Sequence, residues 1–290
     1  MPVGLDLLLR TMLQHKASDL HIRSGSRAYV RVDGVVKPVD GSEMTAQEVQ
    51  QLADSLMDAR QTAIFRERKQ SDFALDKGEL GRFRCNVFVQ RNMPCIAVRH
   101  IPNEVPTFAG LNLPAETLKK ICGNERGLVL VTGITGSGKT STLAAMIDSI
   151  NSEKECHVIT IEDPIEFLHK DKCSVISQRE VGTDTLSFVE SLRGALRQDP
   201  DVILVGEMRD LETTQAAVTA AETGHLVFGT VHTTNAYQTI SRILDLFPPY
   251  QQTQVRLQLA ASLKAVVSQR LLPCTGGGRI PAVEILVVSP

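Results

Sequence analysis

Eight consecutive residues, Gly133-Ile-Thr-Gly-Ser-Gly-Lys-Thr140, satisfy every fixed position of the phosphate-loop pattern G-x-x-x-x-G-K-[ST]. Three glycines let a backbone wrap closely around a polyphosphate, so successive N–H groups and the start of the next helix point at anionic oxygens. The candidate nucleotide-binding residues are Gly133, Ile134, Thr135, Gly136, Ser137, Gly138, Lys139, Thr140 and Ser141. Lys139 adds a compact positive charge toward the β- and γ-phosphates, and the Thr140 hydroxyl can complete a Mg²⁺ site.

A phosphate loop alone only binds. Hydrolysis also needs metal ligands and a group that orients water. Val158-Ile-Thr-Ile-Glu-Asp-Pro-Ile-Glu166 ends an apolar run with Glu162, Asp163 and Glu166, and Asp201-Val-Ile-Leu-Val-Gly-Glu207 ends a second with Glu207. Ligands of open parallel sheets collect beyond the carboxyl ends of the strands, so both acidic groups are expected to face the phosphate loop. His225 and His232 bracket a third apolar run, Leu226–Val231. They are read either as structural histidines or as sensors of the γ-phosphate beside the site. Arg193 and Arg197, spaced i,i+4, share one face of a helix, and Arg209 follows Glu207. For these arginines a surface ion pair and a phosphate or cross-subunit contact both stay open.

The elements that must position these groups alternate. Strands are expected at 127–132, 157–162, 202–206 and 226–231, with a hairpin near 280–288. Helices are expected at 139–151, 187–198, 211–223, 236–246 and 251–270. This is the pattern of a parallel doubly wound sheet, and it begins near Leu111. Before it, Leu5, Leu8, Leu9, Met12 and Leu13 form the stripe of an opening helix over 3–16. Residues 17–22 alternate like a strand, and Asp33-Gly34 joins 28–32 to 35–39 as a hairpin. Thr45-Ala-Gln-Glu48 is a capping box that opens a helix to about Arg60. Strands follow at 72–76, 82–89 and 95–99, completing an α+β module with an antiparallel sheet. Arg82, Arg84, Arg91 and Arg99 lie on or beside these strands, as a solvated face or as reaching phosphates. The expected domains are 1–101, a proline-broken linker at 102–110, and 111–290, with Gly276-Gly-Gly278 as a short turn.

Composition sets limits. The 290 residues are 42% apolar and 22% charged, enough for two globular domains with full cores. A net charge of −2, no Trp and three Tyr offer neither a cationic field nor stacking platforms for nucleic acid. Six cysteines without a C-x-x-C pair read as isolated reduced thiols of a cytosolic protein. The N-terminus reads as no signal peptide, and no apolar run reaches membrane-spanning length. Any membrane role is expected to go through a partner.

Together these residues resemble the secretion-type hexameric P-loop ATPases, and most closely the type IV pilus retraction (PilT) family. The resemblance is carried by Ala17-Ser-Asp-Leu-His-Ile22, Phe83-Arg-Cys-Asn86, the phosphate loop and Ile161-Glu-Asp-Pro-Ile-Glu166. It continues through Gly206-Glu-Met-Arg-Asp210, Ala221-Glu-Thr-Gly-His225, Gly229-Thr-Val-His-Thr-Thr234 and Gly276-Gly-Gly-Arg279. It implies an α/β fold, a RecA-like parallel-sheet ATPase domain preceded by a smaller PAS-like α+β domain. It implies ATP and Mg²⁺, with Glu166 polarising the attacking water and Glu207, the Walker B glutamate, acting on Mg²⁺ and its waters. His225 and His232 match the family's His box, and Arg84 and Arg99 its nucleotide-touching arginines. It also implies a homohexamer, cytoplasmic and peripheral at the inner membrane, whose partner is the platform protein of the pilus machine.

Two features favour retraction over the alternative, a pilus assembly or type II secretion ATPase. Those relatives usually carry a four-cysteine zinc insertion after the His box, where this chain has only Cys274, and read Gly-Glu-Ile-Arg where it has Gly-Glu-Met-Arg. One departure counts the other way: retraction motors continue into C-terminal helices with an Ala-Ile-Arg-Asn-type motif that the sequence to Pro290 does not include. ATP hydrolysis is expected to survive without that element. A RecA-like nucleic-acid motor runs against the balanced charge, and a scaffold that binds ATP without hydrolysing it runs against the two strand-end carboxylates.

Overall fold

The computed structural model describes residues 4–101, 104–275 and 278–288. Residues 102 and 103 of the expected linker and Gly276-Gly277 of the expected turn lie outside the described residues, as do 1–3 of the opening helix. The chain divides into two compact units, Met1–Asn103 and Glu104–Pro290.

The first unit runs α1 (Leu5–Gln14), β1 (Asp19–Arg23), β2 (Tyr29–Val32), β3 (Val35–Pro38), α2 (Ala46–Leu56), α3 (Ala59–Arg68), β4 (Gln70–Asp76), β5 (Arg82–Gln90) and β6 (Met93–Ile101). Its six strands form an antiparallel sheet in the order β3-β2-β1-β6-β5-β4. Leu9 and Met12 of α1 and Val49 and Ala53 of α2 share a core with Leu20, Phe83, Val87 and Val98 of the sheet. Asp33 and Gly34 both adopt positive φ, at 50° and 82°, as the tight hairpin turn demands. One expectation fails here: the helix to Arg60 is two helices. Asp58 accepts the Gln61 N–H and Gln61 reaches back to the Asp58 N–H, a second capping box that starts α3. None of the residues of α3 is buried, so it leaves no apolar stripe to read.

The second unit runs α4 (Ala115–Cys122), β7 (Gly127–Thr132), α5 (Lys139–Glu153), β8 (His157–Glu162), β9 (Val175–Glu180), α6 (Phe188–Ala195), β10 (Val202–Val205), α7 (Leu211–Glu222), β11 (Leu226–Val231), α8 (Ala236–Asp245), α9 (Pro249–Ser262), β12 (Leu263–Pro273) and β13 (Arg279–Val287). The sheet order is β13-β12-β7-β11-β10-β8-β9. Every neighbouring pair is parallel except β12 with β13. Strand β7 is buried on both faces. Its Leu128 and Leu130 join the core under α7 and α9, and Val129 and Val131 join the core under α4 and α5. Phe108 belongs to the second of these cores, so part of the expected linker is structural.

Three further expectations are corrected. The sheet is mixed, because β13 returns antiparallel. The helix expected over 251–270 stops at Ser262, because Leu263 to Ser268 pair with β7 as a buried strand. The helix expected to 198 stops at Ala195. Asp199 takes a φ of 53° ahead of Pro200, a residue that disfavours helix before it. Strand β9 was not foreseen, since Val175-Ile-Ser-Gln-Arg-Glu180 is a mostly polar edge strand with no apolar run.

Gly127 opens β7 where β12 has a register shift between Leu263 and Ala265. It sits at a φ of 119°, and a Cβ there would lie 2.6 Å from both the Ser262 carbonyl and Lys264 Cγ. Gly127→Ala should therefore lose about 2–4 kcal/mol, through overpacking and backbone strain together. Urea unfolding measures it, and an unchanged midpoint would refute this account of the close approach.

Candidate active site

Strand β7 ends at Thr132 and the chain turns at once into the phosphate loop. Gly133, Gly136 and Gly138 adopt φ of 150°, 76° and 91°. At Gly133 a Cβ would fall 2.4 Å from both the Gln269 carbonyl and Ser137 Oγ, so the turn is closed to any side chain. Gly138 caps α5 without a side-chain acceptor. The first-turn N–H groups of that helix are left for an anion. Gln269 of β12 braces the loop from behind, its Nε2 donating to the Ser137 carbonyl at 2.7 Å.

Lys139 Nζ lies over the loop and donates to the carbonyls of Gly133 and Ile134, at 2.9 and 3.2 Å. Burial holds its pKa below the ordinary lysine value, while the carboxylates of Glu207 and Glu166 push it back up. Both acidic groups thus act on Lys139 from the same rim, as their strand-end positions imply. Glu207 follows β10, where Thr230 of β11 donates to the Gly206 carbonyl at 2.6 Å and the Met208 N–H returns to the Thr230 carbonyl at 3.0 Å. This pins the turn that aims Glu207. Its Oε1 meets His232 Nε2 at 2.7 Å and is paired with Arg209 Nε. An open cleft of about 450 Å³ is lined by Thr135, Glu207, Met208, Arg209 and His232, with Arg242 of α8 on its wall.

Glu162 ends β8 and is buried. It accepts from Thr160 Oγ1 at 2.8 Å and from Gln178 Nε2 at 3.1 Å. Burial pushes its carboxyl up to about 7, against those hydrogen bonds and with help from the neighbouring Glu166 charge.

Three candidates do not join the site. His225 precedes β11 and His232 follows it, so within one chain they lie on opposite rims of the sheet, a six-residue strand or about 20 Å apart. The His225 ring faces the Ala220 carbonyl at 3.0 Å. Its expected place beside the loop is corrected, because strand direction separates two residues that sequence proximity seemed to pair. Arg193 and Arg197 do not share a helical face, since α6 ends between them. Arg193 meets Glu212 at 3.6 Å, and the next residue after Arg197, Gln198, takes its carbonyl to His157 at the start of β8, the far rim. In the first unit, Arg84 and Arg99 are cross-strand partners on β5 and β6. Arg84 grips Asp72 through two bonds of 3.1 and 2.8 Å, and Arg99 donates to Asp19 at 2.8 Å.

Arg242, Gln178 and Gln269 were missed. A lone Arg on an amphipathic helix and glutamines within strands carry no sequence signal of their own. Only the sheet order brings them to the rim.

The residues present fit nucleotide with Mg²⁺: an uncapped helix N-terminus, a half-buried ammonium, and hard oxygen donors at Thr140 and Glu207. No cluster of three His, Cys, Asp or Glu side chains able to hold a metal occurs among the described residues.

Residues 3–282 match the model of the type II/IV secretion system protein family. The chain belongs to this family. Among its relatives, the type IV pilus retraction ATPase PilT of Pseudomonas aeruginosa is 48% identical over 283 residues, 98% of this chain and 82% of the relative. The twitching motility protein of Neisseria gonorrhoeae is 46% identical over 287 residues, 99% of this chain and 76% of the relative. A crystal structure of the pilus retraction motor PilT with bound ADP superposes with a TM-score of 0.94 at 49% identity, over 99% of this chain and 84% of that one. The α/β fold of an N-terminal domain followed by an ATPase domain is shared with that structure.

Glu162 yields a pH prediction. Its folded pKa of about 7 exceeds the ordinary 4.5, so the folded protein holds a proton that the unfolded chain releases between these values. The stability this contributes is present below about pH 4.5 and lost as pH rises through 7. Glu162→Gln should therefore gain on the parent protein from pH 5 to pH 8, by up to about 3 kcal/mol. Unfolding midpoints that stay parallel across this range would contradict it.

Proposed function

We propose that this chain is a Mg²⁺-dependent ATPase of a homohexameric motor that powers type IV pilus retraction, the disassembly of pilin that drives twitching. What carries the reading is the Lys139 ammonium with Glu166 and Glu207 acting on it from one rim of the sheet, in a chain closely similar to retraction motors.

The phosphate loop binds the triphosphate through its N–H groups, and Lys139 exchanges its two loop carbonyls for the β- and γ-oxygens. When bound, Mg²⁺ supplies charge neutralisation between those phosphates; Thr140 and Glu207 would hold it, Glu207 partly through water. Glu166 orients the attacking water. His232 and Arg209 lie against the Glu207 carboxylate, and His232 is placed to register loss of the γ-phosphate through that contact. Arg84 and Arg99 are proposed to touch nucleotide, in keeping with a PAS-like role for the first domain. Arg193, Arg197 and Arg209 are candidates for contact across subunits.

In this reading the ring is cytoplasmic and sits at the inner membrane through its platform partner. No helix among the described residues is long and apolar enough to cross a membrane.

Lys139→Ala should abolish hydrolysis and weaken ATP binding. Glu166→Gln and Glu207→Gln should each retain ATP binding while turnover drops by about 10²–10⁴-fold, since catalysis here is positioning and charge stabilisation. Nucleotide affinity and steady-state turnover measured together separate these outcomes, and normal turnover in Glu166→Gln would remove its role. In the cell, deletion should give excess pili and no twitching; loss of pili would instead indicate assembly. Native mass spectrometry with ATP should give a six-subunit mass, and turnover should not respond to DNA.

A further inference from the structure

Strand β9 is parallel to β8, with Gln178 opposite Thr160 and Glu180 opposite Glu162. The two β9 side chains share one face by the two-residue period of a strand. Both are turned to the same task. Gln178 Nε2 donates to Glu162 Oε1 at 3.1 Å and to the Phe167 carbonyl at 2.9 Å, and its Oε1 accepts the His169 N–H at 2.8 Å. Glu180 Oε2 accepts the Ile165 N–H at 3.1 Å. The backbone from Ile165 to His169 is thus held at Ile165, Phe167 and His169. The side chains that hold it stand on β9, paired with β8.

We propose that Gln178 is a positioning residue for Glu166. It acts through the backbone of residues 165–169 and keeps the Glu166 carboxylate directed toward Lys139. The proposal rests on the reading above, in which Glu166 orients the attacking water. Gln178 holds the loop at Phe167 and at His169, just after Glu166, so its loss frees the segment that carries the carboxylate without touching the phosphate loop. A catalytic group displaced by about 1 Å can cost 10²-fold in rate.

The test uses the full chain with Mg²⁺ and ATP. Gln178→Leu occupies similar space and removes three hydrogen bonds. It should lower kcat by about 10–100-fold, with KM for ATP and the affinity for ADP unchanged. A merely structural role would shift stability without that split. Added to Glu166→Gln, the same change should cost no further turnover, because it acts through Glu166. Wild-type kcat in Gln178→Leu, an equal loss of ADP affinity, or a full further loss in the Glu166→Gln background would each overturn the proposal. Should Gln178→Leu fail to fold, Gln178→Glu keeps the acceptor for His169 and loses both donations. It carries the same expectation, and unchanged kcat in it is equally fatal. Full turnover in Glu166→Gln alone would overturn the assignment of Glu166 itself. Near-zero turnover there beside normal Gln178 variants would overturn only the role of Gln178.

Discussion

A half-buried ammonium surrounded by carbonyls and carboxylates is the interaction on which the second unit turns. Burial disfavours the charge of Lys139, while the carboxylates of Glu207 and Glu166 favour it and the carbonyls of Gly133 and Ile134 accept from it. The same cation that balances those carboxylates is the one a triphosphate would claim. Nucleotide binding and the poise of both acidic groups are therefore coupled through one side chain.

Sheet order makes that coupling possible. The phosphate loop leaves β7, His232 leaves the adjacent β11, Glu207 leaves β10 and Glu166 follows β8. At about 4.8 Å between strands, Glu207 starts roughly 10 Å from the loop's strand. That spacing leaves room for phosphates and a metal while long side chains can still reach across. Buried apolar strands fix the spacing: β7 is sealed on both faces, so its end cannot drift relative to its neighbours.

The supporting groups divide into a brace and a strap. Gln269 of β12 holds the phosphate loop from one side, and Gln178 and Glu180 of β9 hold the Glu166 segment from the other. The two glutamines are neutral amides, which suits these places because another charge beside Glu162 or Lys139 would disturb the balance that defines the site.

The sequence by itself determined the phosphate loop, the bounds of β7, β8 and β11, and the two strand-end glutamates. Each rests on local chemistry: a glycine turn, an apolar run, or a carboxylate at its end. It also determined the Asp33-Gly34 hairpin, because both residues tolerate left-handed backbone. It did not determine β9 or α3, which carry too little buried surface to leave a pattern, nor the end of α9, where pairing with β7 overrides helical spacing. The fate of the histidines shows the limit most plainly. His225 and His232 flank one strand in the chain, yet strand direction puts only His232 against Glu207. Partners such as Gln178, Gln269 and Arg242 were decided by tertiary structure alone, because which strands become neighbours is a property of the whole sheet.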